Sequence, residues 1–380
     1  MTTGPPGPPR RRAPRLRILS GRELSGAYLA RQLLLQRAPI GPVAAIHRLA
    51  ALQAQYSPSP YLALAARLHS FAIADLERCL KRGTIVKATL MRGTLHLSTA
   101  ADYPAISGTL RRSAVMHWRQ IWGGAGVDPD ALAGALAQYL ATPRTADEIR
   151  KQVDVLSAGA LPPRAALASA KLLVPTVHVP PSGLWREHGA PTLVTWPSPL
   201  PPPEAARRMV RLYLAGYGPA TRAEVAAFAG LRKAEADAAL AALEPLCRVA
   251  DADGRELIDL PGAPRPRDDG LFAPPRLLPK WDSALLSHAD RRRILPETLR
   301  TRVISPANGD VLATYLLDGA VAGSWQADRA GDRVTVRLSP LGQGPGHDDP
   351  ALEDEARRTA AFMEPDATVI DVELAAANPG

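Results

Sequence analysis

The sequence predicts an α+β chain: tandem winged-helix (helix-turn-helix) modules followed by a small C-terminal antiparallel β-barrel. Three observations carry this. Helices of period 3.6 give way near Ile85 to a period-two hairpin. A helix, a turn and a Thr-x-x-Glu box recur in that order twice further along. Past a proline-rich stretch, the chain becomes short strands separated by Asn-Gly and Asp-Gly turns.

The first module is read from residue 18. Leu29 and Leu33 mark one helix, and Gly41-Pro42 breaks it. Val43, Ile46, Leu49 and Ala50 trace a second helix that runs into Gln53-Ala54-Gln55 and then Pro58 and Pro60. Tyr61, Leu64, Ala65 and Leu68 give a third; Leu76 and Leu80 give a fourth, closed by Gly83. Val86, Ala88 and Leu90 then alternate along a strand, Arg92-Gly93 turns it, and Thr94–Ser98 returns. This is the layout of helices with a β-hairpin wing.

Two later units share one grammar. Tyr139-Leu140-Ala141 precedes Thr145-Ala146-Asp147-Glu148, and Tyr213-Leu214-Ala215 precedes Thr221-Arg222-Ala223-Glu224. Each Thr-x-x-Glu is a capping box that opens a helix. Further helices follow near Pro163–Leu173 and Arg232–Leu243, and Asp253-Gly254 signals a hairpin between Cys247–Ala250 and Glu256–Leu260. The Pro-, Gly- and charge-rich stretch Pro261–Pro275 reads as a linker. Strands are expected at Val311–Leu317, Ala320–Gln326, Arg333–Leu338 and Thr368–Leu374, with a helix near Ala351–Phe362. The resulting plan is a disordered tail (1–17), three modules (18–125, 126–200, 201–262), a linker (263–275) and the barrel (276–380).

Composition narrows the function classes. The formal charge is +9, but five arginines lie in the acid-free tail up to Arg17; without them the charge is +4, which permits nucleic-acid binding without demonstrating it. Arginine far outnumbers lysine, a bias that weakens the reading of single arginines. Cys79 and Cys247 are the only cysteines, so a disulfide scaffold and a zinc finger are excluded and a reducing cytoplasm is expected. No apolar run approaches a membrane span. Neither Gly123-Gly124-Ala125-Gly126 nor Gly342-Gln343-Gly344 sits between a strand and a helix as a phosphate cradle does, and His347-Asp348-Asp349 lacks a spaced partner for a metal.

Four features could carry chemistry. Pro58 and Pro60 disfavour a continuing helix at the glutamines, and in extended backbone Gln53 and Gln55 point the same way. They either cap a helix end or aim two neutral amides into one space, where they would orient a water or grip a polar ligand. Arg92, Thr94 and His96 on the hairpin are candidate nucleic-acid contacts or a solvated strand face. Trp185, Arg186 and His188 occupy a long loop that probes a groove or packs. Asp282, His288, Asp290 and Arg291–Arg293 form a cluster past the linker, a solvated charge run or a phosphate contact; Arg291 and Arg292 are its candidate DNA ligands.

Several motifs in order resemble one bacterial family: Arg31-Gln32-Leu33-Leu34-Leu35-Gln36-Arg37, Leu52-Gln53-Ala54-Gln55, Met91-Arg92-Gly93-Thr94-Leu95-His96-Leu97, Tyr217-Gly218-Pro219-Ala220-Thr221 and Leu317-Asp318-Gly319-Ala320-Val321-Ala322-Gly323-Ser324-Trp325. It is the winged-helix family of DNA glycosylases that unhook interstrand crosslinks, matched over roughly residues 17 to 375. The resemblance implies a concave DNA-binding surface and a catalytic Gln-x-Gln motif, here Gln53 and Gln55. It implies a bacterial cytoplasmic, monofunctional hydrolase of cationic N7-alkylguanine adducts in damaged double-stranded DNA, serving repair or antibiotic self-resistance. No cofactor and no metal are expected, and the chain is expected to act as a monomer. The alternative is a non-catalytic winged-helix transcriptional regulator. Such regulators usually carry one helix-turn-helix per subunit, which three modules and a barrel do not fit.

Overall fold

A computed structural model describes residues 16–196, 200–269, 271–342 and 346–375. All but the last two residues of the expected tail lie outside that range, as do Gln343 and Gly344.

Ser20 opens α1 (Gly21–Arg31) through a capping box with Glu23. Gly41-Pro42 starts α2 (Pro42–Arg48), whose C-cap is Leu49; Ala50 then takes a left-handed φ of 63°. The helix therefore stops before the glutamines, which follow in an extended segment containing β1 (Leu52–Gln53). Next come α3 (Ser59–Ala65), α4 (Ile73–Lys81), β2 (Ile85–Thr89) and β3 (Leu95–Thr99). The hairpin tip is the predicted one, with Arg92 and Gly93 both at positive φ. The twenty-residue α5 (Tyr103–Trp122) leads away from it.

The second unit comprises α6 (Pro129–Tyr139), β4 (Arg144–Thr145), α7 (Ala146–Leu156), α8 (Pro163–Leu173), β5 (Thr176–His178) and β6 (Thr192–Thr195). The third comprises α9 (Pro202–Tyr217), α10 (Arg222–Ala229), α11 (Lys233–Ala241), β7 (Cys247–Ala250) and β8 (Glu256–Asp259). Both predicted Thr-x-x-Glu capping boxes form, and Asp253-Gly254 lies in the turn between β7 and β8.

The first hairpin is not a free wing. Its strands join those of the second unit in one six-stranded sheet, ordered β1-β3-β2-β5-β6-β4. The cause is visible in β2, whose first four residues are all buried: a strand buried on both faces belongs inside a sheet. Lys87 accordingly pairs with His178 across from β5.

The C-terminal strands are β9 (Arg276–Leu278), β10 (Thr314–Leu317), β11 (Ala320–Ala330), β12 (Arg333–Pro340) and β13 (Val369–Leu374), with α12 (Arg300–Val303) and α13 (Pro350–Met363) between them. They form an open sheet, β13-β12-β11-β10-β9, rather than the expected closed antiparallel barrel. The reason is the β12–α13–β13 crossover, which makes that pair parallel. Leu352, Ala356 and Ala360 of α13 pack on Trp325, Val334, Val336 and Leu338, and the edge strands β9 and β13 stay apart.

Two buried ion pairs tie distant segments together. Arg31 grips Asp259 of β8 at 2.7 Å. Arg67 grips Asp282 with two hydrogen bonds of 2.9 and 2.7 Å, and also donates to the carbonyls of Gln32 and Ala63. Tyr28 of α1, Tyr213 and Tyr217 of α9, Phe228 of α10 and Leu285 fill the core between α1, α9 and the 282–288 turn. No helix among the described residues is long and apolar enough to cross a membrane.

Candidate active site

Gln53 pairs with His96 across β1 and β3, and the next residue's N–H, from Ala54, donates to Leu95 O at 2.7 Å. Both amides turn toward the hairpin. Arg92 Nη2 donates to Gln53 Oε1 at 3.0 Å, and the Leu95 N–H donates to Gln55 Oε1 at 3.3 Å. Each partner can only donate, so chemistry alone fixes which end of each amide is the oxygen. The same contacts show that the amides do not cap α2. Gln53 is buried and Gln55 exposed. No described residue accepts from either Nε2, and each Oε1 keeps one lone pair.

The floor of the site comes from far along the chain. The Gln53 N–H donates to Ser283 Oγ at 3.2 Å, and the Ser283 hydroxyl reaches Ala51 O at 3.4 Å. Asp282, next to it, caps the short 283–285 helical turn and has both oxygens engaged by Arg67. The Tyr217 hydroxyl donates to Leu49 O at 2.9 Å, holding the corner before the motif.

Arg92 holds the tip in a left-handed conformation, φ 58° and ψ 18°, which a long side chain adopts at a cost of about 1–3 kcal/mol. It is exposed at its edge yet set into a cleft. Burial lowers its pKa first, and the charge of Arg291, near enough to act on it, lowers it further. His96 lies under the tip, fully in the protein. Burial, with Arg92 nearby, lowers its imidazole to about 3, so it is neutral at physiological pH.

Next to Gln55, the candidate His188 meets an aromatic residue that the sequence analysis did not single out. Tyr56, 41% exposed, stacks on His188 with ring centroids 6.0 Å apart and planes within 11°. Ser57 Oγ donates to Glu187 O at 2.6 Å and anchors the two segments to each other. The available signal was an aromatic residue directly after Gln55 and before the helix-starting prolines.

The other candidates separate. His96 is off the surface and bonds Thr94 O, and the Thr94 hydroxyl is turned back to Met91 O. Arg186 is ion-paired with Glu364 and lies over Trp185. Arg292 is held by Asp290 at 2.6 Å; that bond, with Arg255, keeps the Asp290 carboxyl well below the usual carboxylate range. His288 is buried between Glu224 and Tyr217 O. His347 bonds the Tyr315 hydroxyl and Asp349 caps α13. No group of three metal-ligating side chains occurs among the described residues.

Two amides fixed by donors, beside a cationic hairpin tip and an exposed aromatic stack, suit a nucleic-acid substrate. The class follows from a family model described as "DNA glycosylase AlkZ-like", which matches residues 46–362: the chain is a DNA glycosylase. It belongs to that AlkZ-like family. Among solved structures it is similar to Streptomyces sahachiroi DNA glycosylase AlkZ, with a TM-score of 0.77 over 94% of this chain and 100% of that chain. The two are 20% identical, so the likeness speaks for the fold. A comparison with curated proteins returned no match.

Proposed function

We propose that this glycosylase hydrolyses the N-glycosidic bond of cationic N7-alkylguanine adducts, including bulky and interstrand-crosslinked ones, with Gln53 and Gln55 orienting the attacking water. The observation that carries this is the pair of donor-fixed amides. The spare lone pair of each Oε1 accepts a water proton, turning the water's own lone pair toward C1′. A guanine alkylated at N7 is already cationic, so its glycosidic bond needs no proton from the enzyme. The surroundings agree: His96 is neutral, Asp282 is engaged by Arg67, and Asp290 is held ionised.

Hydrolysis rather than lyase chemistry is favoured by sheet geometry. Lys87, whose amine burial lowers to about 8, aligns with Leu97 and through it with Leu52. Gln53 aligns with His96 and Ala88. Successive residues face opposite sides of a sheet, so the amine and the Gln53 amide lie on different faces.

The two Thr-x-x-Glu units fit tandem winged-helix modules that would cradle a duplex around the cleft, and a bulky lesion that resists extrusion would be read in place. A duplex joined through the N7 atoms of two guanines tests the substrate. Its slow-migrating band on a denaturing gel should convert to single strands, and persistence of the band after prolonged incubation would contradict the crosslink reading.

Phosphate contacts are assigned to Arg92 and Arg291. Arg92→Ala and Arg291→Ala should each weaken binding to any duplex and lower the salt slope by ~0.9. Arg292→Ala should leave the slope unchanged because Asp290 already neutralises that side chain. Equal slopes for all three variants and wild type would return Arg92 and Arg291 to a structural role.

A further inference from the structure

Against the hairpin tip lies a cleft of about 330 Å³ between α5, the end of α8 and the tip itself. Arg92, Arg111, His117 and Lys171 line it, and none of its described lining residues is acidic. Elsewhere most arginines are paired with carboxylates, so four basic side chains without one are unusual here. Arg111 spends one nitrogen on Leu173 O. The carboxylate that acts on it from a distance, Asp130, is taken up by Arg119 at 3.3 Å. Lys171 is half-buried with no hydrogen-bonding or ion-pair partner, and burial lowers its pKa. The Ser107 hydroxyl lies on the cleft wall beside Tyr103. Lys87 stands behind, close enough for Lys171 to lower its pKa. Like charges gathered in a partly dry site raise the energy of the empty protein, and an anion relieves it.

We infer that this cleft is an anion site that seats one backbone phosphate of the DNA strand. Arg92 is shared: it lines the cleft and donates to Gln53 Oε1. A phosphate seated here draws the guanidinium between the two and couples strand position to the orientation of the amide. The chemistry recognised is a phosphate dianion or diester, and the strand is the source assigned, resting on the reading that Gln53 faces the damaged nucleotide.

The test uses the full chain and binding alone. A Lys171→Gln/His117→Gln double variant and wild type are titrated with an undamaged duplex across a salt series. The variant should show a slope shallower by ~0.9, with Lys171→Arg restoring it. An unchanged slope in the double variant, its fold confirmed by circular dichroism, would overturn the site. A duplex fixed in register by a stable abasic analogue, with single methylphosphonates placed in turn, gives the second arm. One position should weaken wild type but not the double variant; equal weakening of both proteins at every position would overturn it too. Inorganic phosphate alone is the third probe, read by the His117 ring resonances. Occupancy that the duplex does not displace would make this a free-ion site and sink the strand assignment. None of these three readouts involves base release, which is measured separately on wild type. A missing slope change with intact excision rejects the cleft alone, whereas the expected slope change without excision rejects the proposed chemistry alone.

Discussion

Gln53→Ala should cut single-turnover release of N7-alkylguanine by ~10²–10³-fold, the effect of losing ~2.7–4 kcal/mol of positioned polar stabilisation at the transition state. Duplex affinity should stay nearly unchanged, because phosphate contacts rather than this amide hold the strand. Gln55→Ala should act in the same direction. The two side chains lean on neighbouring points of one hairpin, Arg92 and the Leu95 N–H, and in the proposed mechanism orient one water, so the double variant should fall short of the product of the single losses. Arg92→Lys makes a useful companion. It keeps the charge but loses the planar fork that reaches Gln53 from a left-handed backbone. Near-wild-type release from the Gln53→Ala/Gln55→Ala double variant would move the active site elsewhere.

Arg67→Ala should destabilise the fold by ~3–5 kcal/mol, since it leaves the Asp282 carboxylate buried and uncompensated. Both side chains are fully enclosed, and the guanidinium also satisfies two carbonyls, those of Gln32 and Ala63. The pair joins the end of α3 to the turn that supplies Ser283 beneath Gln53, so excision should fall along with stability. Replacing both partners, Arg67→Met with Asp282→Leu, should recover much of the stability, because no lone charge is left behind. Urea unfolding of the three proteins separates the possibilities. A single variant as stable as wild type would show that the pair contributes nothing net.

Local signals were legible in the sequence, and long-range pairings were not. Arg92-Gly93, Asp253-Gly254 and both Thr-x-x-Glu boxes act through neighbouring backbone, and each turns or caps the chain where expected, whereas the first helix ends at Arg31, well before the Gly41-Pro42 expected to break it. The extended geometry at Gln53 was likewise readable from Pro58 and Pro60. The expected barrel failed on connectivity: a terminal strand entering parallel through α13 depends on packing that no turn signal carries. The free wing failed because β2 recruits β5, about ninety residues on; its unbroken burial was written in Ile85-Val86 and Ala88, but the partner was not. Arginine partners were equally opaque. Arg186 meets Glu364, and Arg67 meets Asp282, through folding alone. That removed Arg186 from the free cations and Asp282 from the candidate acids. Ser283 under Gln53 and the Tyr56–His188 stack had no spacing to betray them, since each joins segments more than a hundred residues apart.

The central claim is that amides and no general acid perform the chemistry, and leaving-group charge tests it most directly. Matched duplexes carrying one N7-methylguanine, one uracil or one hypoxanthine are incubated with the protein, and abasic sites are then cleaved with alkali. A cationic base departs without a proton, whereas uracil and hypoxanthine require proton donation or equivalent stabilisation. The groups near Gln53 do not supply it: burial holds His96 neutral, and Asp282 is locked to Arg67. The account predicts strand cleavage at N7-methylguanine and intact strands for both neutral bases. Efficient release of uracil or hypoxanthine would contradict it and place an acid at the mouth, with exposed Glu187 beside His188 the first residue to replace.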